Sequence, residues 1–250
     1  MTDLHTHILP FVDDGAKSMQ ESLALLLCQK QQGIHNVALT SHFDCETTSI
    51  DAFLEQRAAA YAKLMAHFCP DVHNMHLKLG SEVRYSPRLQ NIDCDQLCLE
   101  GTKVLLLELP TDYYPTFLDQ LLYSFYADGL IPLIAHVERY PYAVQNPSVL
   151  HKWISNGAYI QVNANALLRL NQKKWVLKMI RWGLVHVICS DAHSMAFRPP
   201  NISDALNSVE KEIGNREMQK LRQTATDLFN GIAPEHTIIH KPRNLGGVWF

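Results

Sequence analysis

The six cysteines of this 250-residue chain are scattered, and no two stand as a Cys-x-x-Cys pair. Such spacing builds no disulfide framework, and free thiols in a reducing cytoplasm are expected. The residues six places after the cysteines are Ile34, Asp51, Met75, Glu100, Val104 and Met195. None is arginine, which excludes a Cys-x5-Arg phosphate loop and the thiolate chemistry that goes with it. A P-loop and a Gly-x-Ser-x-Gly elbow are also missing. No apolar run approaches the roughly 20 residues of a membrane span. The opening MTDLHTHILP has no basic n-region, so no secretory signal is read there and a cytoplasmic protein is expected. Basic residues do not predominate: 22 Lys and Arg face 25 Asp and Glu, for a net charge of −3. Without a basic stripe, nucleic acid is not an expected partner. Repeats, low-complexity tracts and long linkers are absent too. One domain over residues 1–250 is the reading, with an ordinary 47% hydrophobic content to fill its core.

Short apolar runs alternate with helical patterns. Residues 35–41, 76–83, 103–109, 131–136, 158–163 and 185–190 read as buried strands, with 2–8 a weaker first one. Helices are expected over 18–32, 51–68, 115–128, 147–156, 172–182, 203–212 and 215–229. The 51–68 segment is the clearest, starting at an Asp, rich in Ala and Leu, and ending before Pro70. Strands alternating with helices imply a parallel sheet. Seven strands suit a barrel or a large doubly wound sheet, and pattern alone leaves both open.

Histidine is abundant, with thirteen residues, and the positions matter more than the count. His5 and His7 follow the first expected strand and His42 the second. Glu82 ends the third, Glu108 the fourth and His136 the fifth; Asp191 and His193 follow the last. In a parallel barrel these positions meet at the C-terminal face of the strands, where active sites sit. Ionisable groups buried there without partners would be costly. In His5-Thr6-His7 on a strand end, residues i and i+2 point to one side and two imidazoles can grip one ion. Asp191-Ala192-His193 repeats the spacing with a carboxylate. Mixed His and carboxylate donors suit zinc, manganese or iron better than calcium or magnesium. Each pair alone is commonplace, and Asp13-Asp14-Gly15 read by itself is a turn. The joint placement at successive strand ends carries the expectation of a metal site.

The ordered blocks DLHTHILP, VDDG, TSHFD, GSEVRYSP, LLLELP, IAHVERY, QVNA and CSDAHSMAFRPP resemble the polymerase-and-histidinol-phosphatase (PHP) superfamily. Within it they look like the bacterial manganese-dependent tyrosine-protein phosphatases of capsule and exopolysaccharide systems. The resemblance runs from about residue 2 to residue 200. It implies an α/β fold of the PHP type, a distorted (β/α)7 TIM-like barrel, holding three divalent ions. Manganese is the metal implied, with iron, zinc, cobalt or magnesium as alternatives. By motif, His5, His7, Glu82 and Asp191 would hold the first ion, Glu82, Glu108 and His136 the second, and Asp14, His42 and His193 the third. Arg139 and Arg198 match the family's phosphate-binding arginines, and His42 and His193 could assist proton transfer. Val137 stands where the family commonly has Pro, and Phe11 where Gly is frequent.

The implied reaction is hydrolysis of a phosphoester by a metal-bound hydroxide, without a phosphoenzyme. The implied substrate is the phosphotyrosine tail of a bacterial tyrosine autokinase. The alternatives are a small-molecule phosphatase such as a histidinol-phosphate phosphatase, a nuclease, or a non-catalytic metal-stabilised binding module. The sequence leaves the oligomeric state open. Other histidines are set aside. His73 and His76 read as loop and edge polarity, and His35, His67, His151, His186, His236 and His240 as surface or satisfied core residues. Cys189 reads as core. Arg84, Tyr85, Tyr113 and Tyr114 read either as pocket mouth or as packing, and Asn163 either as a site residue or as a helix cap.

Overall fold

The computed structural model describes residues 1–67, 72, 74–236, 240–246 and 248–249. Each apolar segment of the sequence contributes parallel strand, in chain order. The first is β1 (Thr2–Asp3), followed by helix α1 (Met19–Gln31). The second gives β2 (Asn36–Leu39) and β3 (His42–Phe43), then α2 (Ile50–Ala66). The third gives β4 (His76–Leu79) and β5 (Glu82–Arg84). Single strands follow: β6 (Val104–Glu108) with α3 (Leu118–Ala127), and β7 (Ile131–Ile134) with α4 (Pro141–Gln145) and α5 (Ser148–Ser155). Next come β8 (Tyr159–Asn163) with α6 (Ala164–Leu168) and α7 (Leu170–Arg181), and β9 (Val187–Cys189) with α8 (Ile202–Glu212) and α9 (Asn215–Phe229). A short antiparallel pair, β10 (Asn244–Leu245) and β11 (Val248–Trp249), lies near the C-terminus.

The result is a mixed α/β fold on two parallel sheets, ordered β1-β2-β4 and β3-β5-β6-β7-β8-β9. The expected strands 35–41 and 76–83 are each interrupted once. Arg57 of α2 causes the break in the third segment: its guanidinium donates to the Gly80 carbonyl and the Ser81 hydroxyl at 2.8 and 2.9 Å. In the second segment, Thr40 turns its N–H back to Thr6 O at 2.9 Å. The ladder resumes in the same register, with Leu39 opposite Leu79 and then His42 opposite Glu82. The first expected strand is only two residues long because residues 5–7 pair elsewhere. Thr6 bridges Ala192 in parallel, His7 N–H donates to Ala192 O at 2.8 Å, and Asp191 N–H donates to His5 O at 2.9 Å.

The expected helices all form, within a few residues of their limits. α2 begins one residue earlier than expected, capped by Ser49, whose hydroxyl accepts from Ala52 N–H. The end of the expected 51–68 helix and His73 lie outside the described residues. Two short helices were not expected. α4 starts at Pro141, whose missing N–H is no loss at a first helical position, and α6 follows β8 without a loop.

Strands β6 to β9 are buried on both faces, which is why they read as continuous apolar runs, whereas β4 is only half-buried. Leu105 and Leu107 pack outward under the helices in the larger core. Val104 and Leu106 turn the other way, into a smaller inner cluster with Leu4, Ala38, Leu133, Tyr159, Val187 and Cys189. Ala225, Leu228 and Phe229 of α9 close that cluster from one end. The five described cysteines are free thiols. Among the described residues no helix is long and apolar enough to cross a membrane.

Candidate metal centre

The residues that face the inner apolar cluster have acidic or amide successors at the C-terminal strand ends. Leu106 leads by period two to Glu108, Cys189 to Asp191, and Tyr159 to Gln161 and then Asn163. One alternating pattern thus builds an apolar plug at one end and a polar floor at the other. There the chain brings together His5, His7, His42, His136 and His193. Neighbouring rings stand 3.8 to 6.2 Å apart, centre to centre. Glu82 lies among them, its Oε2 at 3.1 Å from His5 Nε2, 3.1 Å from His7 Nε2 and 3.0 Å from His42 Nδ1. Its Oε1 lies 2.9 Å from His136 Nε2. Asp191 Oδ1 is 3.5 Å from both His5 and His7 Nε2 and 3.3 Å from His193 Nδ1. Glu108 reaches His136 Nε2 at 3.5 Å, and Asp14 Oδ1 lies 3.4 and 3.3 Å from the Nε2 atoms of His42 and His193.

The outward bonds of these rings decide what the inward nitrogens are. His7 Nδ1 sits 2.7 Å from Asp13 Oδ2, so that nitrogen carries the proton and Nε2 presents a lone pair. His5 Nδ1 faces Gln161 Oε1 at 3.3 Å, which leaves His5 Nε2 a lone pair as well. In the neutral rings these two lone pairs point at each other across 3.1 Å, in a fully buried position beside a carboxylate oxygen. Such an arrangement repels itself unless a cation lies among the donors. His193 repeats the pattern: Nδ1–H donates to Asp191 O at 2.9 Å, and its buried Nε2 has no hydrogen-bond partner. Imidazoles held from behind by a carboxylate, an amide and a carbonyl are the usual outer support of metal-ligating histidines.

The titration of the site points the same way. Burial by itself would lower His5 and His7; Glu82, Asp191 and Asp13 outweigh it, and both end above the ordinary histidine range. The carboxylates that draw protons onto these rings would equally hold a divalent ion in the protons' place. Burial, reinforced by the positive His7, holds His193 down to about 3, and burial also lowers His42 and His136, so these three offer neutral nitrogens. Burial and the Glu82 charge push Glu108 up to about 7. Burial would raise Asp191, but His5 and Arg139 drive it below the usual carboxylate range. Among the described residues, three groupings are compact enough for one ion each: His5, His7 and Glu82; His42, Glu82 and Glu108; and His7, Asp14, His42 and His193. The second puts His42 where the motif reading had His136, although His136 keeps its own contacts to both glutamates. The residues present therefore fit a multinuclear metal centre.

Both expected arginines reach the cluster. Arg139 donates to Asp191 Oδ2 at 2.5 Å and Arg198 to the same oxygen at 3.0 Å. His136 and Asp191 both take left-handed backbone, with φ of 32° and 52°. Such strain in non-glycine residues costs of order 1–3 kcal/mol and needs support. Gln161 Oε1 accepts from His136 N–H at 2.7 Å, and Asp3 supplies the rest. The buried Asp3 carboxylate accepts from the N–H groups of His5 and Ser190, from the Ser190 hydroxyl and from Gln29. The Ser190 hydroxyl in turn accepts from Ala192 N–H, next to the Asp191 turn.

Sequence reasoning missed four of these supports: Asp3, Asp13, Gln161 and Glu138. Asp13 was read only as part of a turn, yet it bonds His7 and also accepts from His42 N–H at 3.0 Å. Gln161 could have been flagged by its two-residue spacing from Asn163 in a strand otherwise apolar. Glu138 is buried, which pushes it up to about 7, and it accepts from Asn163 N–H. The ambiguous residues resolve. Asn163 faces the site, donating to Asp191 Oδ2 at 2.8 Å, and makes no side-chain cap. Tyr85 packs in the core, while Arg84 is exposed beside Asp44. Tyr114 packs edge-on against Tyr142, and Tyr113 is exposed. Phe11, flagged as standing where glycine is frequent, has a φ of 63°.

Known proteins resemble this chain along most of its length. Residues 1–229 match the family described as capsular polysaccharide synthesis, CpsB/CapC. Over 247 residues, 97% of this chain and 95% of the relative, it is 31% identical to the tyrosine-protein phosphatase YwqE of Bacillus subtilis. It is 30% identical to the tyrosine-protein phosphatase CpsB of Streptococcus pneumoniae, over 88% of this chain and 94% of that one. Crystal structures of YwqE and CpsB, described as unique metal-dependent tyrosine phosphatases, include a chain that superposes with a TM-score of 0.85. That match covers 95% of this chain and 97% of the other at 29% identity.

Proposed function

We infer the activity from a plain premise: this chain belongs to the capsular polysaccharide synthesis family CpsB/CapC. It is a metal-dependent tyrosine-protein phosphatase, a hydrolase of phosphoric monoesters, as the relatives named above are. The observation that carries the reading is the meeting of two guanidinium groups with a histidine–carboxylate cluster at Asp191. Metal-capable imidazoles and carboxylates and phosphate-binding forks then share one face of the sheet.

The finer reading is that nine donors hold three divalent ions, manganese foremost. His5, His7, Glu82 and Asp191 would take the first, Glu82, Glu108 and His136 the second, and Asp14, His42 and His193 the third; the groupings above support the core of each set, and the contacts of Asp191 to His5 and His7 and of His136 to both glutamates support the rest. Ions bound there supply positive charge for a phosphate dianion and acidify water. The chain's own residues do the rest. Arg139 and Arg198 are the catalytic pair that clamps phosphate oxygens through their remaining N–H groups, while Asp191 holds both forks in position. His42 is half-buried and Asp14 exposed, so the solvent edge of the site is where protons enter and leave. A phenolate leaving group asks for little protonation, and no dedicated buried acid is required.

The seven strand segments close into a distorted (β/α)7 barrel, a reading supported by the Thr6–Ala192 bridge between the first and last of them. Residues 1–250 act as one domain. The protein substrate is the phosphotyrosine-bearing tail of a bacterial tyrosine kinase, supported by a site open enough to leave Asp14 exposed. The test compares a phosphotyrosyl peptide with histidinol phosphate before chelation, after chelation and after return of manganese. The expected result is peptide preference, loss on chelation and recovery with manganese. Preference for histidinol phosphate would move the chain to small-molecule chemistry, and indifference to chelation would defeat the metal reading.

A further inference from the structure

The loops at the open side of the site carry two phenylalanines in solvent, Phe197 at 87% and Phe11 at 67% exposure. Single exposed apolar residues need no explanation, but the positions of these two do. Phe197 lies in a turn whose two ends are site residues. His193 N–H donates to Arg198 O at 3.0 Å, Ser194 bridges Arg198, and the Ser194 hydroxyl accepts from Phe197 N–H at 3.2 Å. The ring is thus carried one residue from the Arg198 fork on backbone that is tied at both ends. Phe11 stands on the loop that delivers Asp14. Ala16 N–H donates to His7 O and Phe11 N–H to Ala16 O, both at 3.0 Å, which closes that loop. The loop packs so closely on His7 that a Cβ on Gly15 would stand 2.1 Å from His7 O. Gln56 of α2 donates to the Phe11 carbonyl at 3.3 Å. An exposed ring is therefore kept on left-handed backbone that glycine would adopt freely, a strain that solvent exposure does nothing to offset. The two loops meet, with Arg198 Nη2 at 3.6 Å from Asp14 Oδ2.

We propose that Phe11 and Phe197 form an aromatic collar at the mouth of the site, which receives the phenyl ring of phosphotyrosine and selects aryl over alkyl phosphate esters. The proposal rests on the phosphatase reading given above. With the phosphate on Arg139 and Arg198, the organic group of the ester leaves by the open side, where the Asp14 side chain is 62% exposed. The two loops flank that side. A ring bonded directly to the ester oxygen enters the collar once the phosphate is seated, whereas an alkyl ester puts no ring there. Phenylalanine offers only apolar and ring-to-ring contact. Offset and edge-on ring pairs form over centroid separations of roughly 4.5–7 Å, a tolerance that suits a clamp made from two loops. Phe117 provides a built-in control. It is exposed too and follows another strand end, but it sits on the separate loop between β6 and α3.

The experiment uses the full chain loaded with manganese and measures the binding of three anions by calorimetry. These are inorganic phosphate, ethylphosphonate and benzylphosphonate, the last two being non-hydrolysable analogues of an alkyl and an aryl ester. The variants are Phe11→Gly, Phe197→Ala, the double change, and Phe117→Ala. The native chain is expected to bind benzylphosphonate roughly tenfold more tightly than ethylphosphonate. Phe11→Gly and Phe197→Ala should each weaken benzylphosphonate about threefold, within the scale of one aromatic pair. Phosphate and ethylphosphonate should be held as before, which also shows that each variant is folded with its clamp intact. The double variant should bind the two phosphonates alike, and Phe117→Ala should change nothing. Equal affinity of the native chain for the two phosphonates, or a preference that survives in the double variant, overturns the collar and leaves the phosphatase reading intact. Equal losses on all three anions would make the rings mere props of the loops and overturn it as well. A Phe117→Ala loss as large as the others would spread the effect over the whole face and overturn the assignment to these two residues. Failure of the native chain to hydrolyse a phosphotyrosyl peptide overturns the phosphatase reading, and the collar with it.

Discussion

Two pairs of histidines face each other at opposite ends of the same sheet system, at nearly the same distance. His5 and His7 approach to 3.1 Å at the C-terminal ends of the strands, and His186 and His236 to 3.2 Å just before β9. The first pair meets lone pair to lone pair, surrounded by Glu82, Asp191 and Asp13. The second is complete in itself. Ile160 N–H donates to His186 Nδ1, which leaves Nε2–H to donate to His236 Nδ1, and His236 bonds the Gly157 backbone in turn. Among the described residues no carboxylate perturbs His186, which feels burial first and then the positive influence of His236 and Lys220. Distance between rings therefore does not distinguish a metal centre from a structural knot. What the outward nitrogen does, and which charges surround the inward one, does.

The contrast can be broken in four places. Glu82→Gln removes the one carboxylate that touches four of the five site imidazoles. Turnover should fall on the order of 10³-fold or more, the scale of losing a main electrostatic element of a transition state. Elemental analysis should find fewer ions per chain, and unchanged metal content with full activity would refute the role. Asp13→Asn leaves every proposed ligand in place and loosens only His7. Metal affinity should drop about 10- to 100-fold in competition with a chelator; an unchanged affinity would mean that His7 needs no support from behind.

The third change addresses the other pair and its pH dependence. Burial holds His186 down to about 3, whereas the unfolded chain takes up its proton near 6.5. Between those values the unfolded state binds more protons, so stability falls as pH falls. From pH 7 to pH 5 this imidazole costs roughly 2 kcal/mol. His186→Asn should flatten the denaturation free-energy slope over that range, whatever it does to stability at pH 7; a slope equal to the native one would clear His186 of it. The smallest effect belongs to Phe11, whose exposed ring sits on left-handed backbone. Phe11→Gly should raise the unfolding free energy by up to about 1 kcal/mol, read from the midpoint of a urea titration. A loss instead would mean that the aromatic makes a contact worth more than the strain.

Much of the centre was legible because ionisable residues interrupt apolar strands only where something holds them. His42, Glu82, Glu108, His136 and Asp191 stand out in the sequence for that reason. The choice of Asp14 over Asp13 came from family resemblance, and the geometry gives each a place: Asp14 on the open side by His42 and His193, Asp13 behind His7. The residues that brace the ligands from behind left a weaker signal. Gln161 lies in a strand that reads as half apolar, and Asp3 reads as ordinary N-terminal polarity. The strand breaks were invisible for another reason. The guanidinium that takes the Gly80 carbonyl comes from Arg57 of α2, and no local pattern records a partner supplied by another element.

The amide pair of β8 carries a consequence for proton traffic. His136 N–H donates to Gln161, Gln161 donates to Asn163, and Asn163 donates to Asp191, every bond pointing the same way. Carboxamides neither gain nor lose protons near neutral pH, so this chain fixes geometry and conducts nothing. It works as an insulator along the inner wall of the site. Whatever proton the reaction releases must depart on the opposite side, past His42 and Asp14, where the cluster meets water.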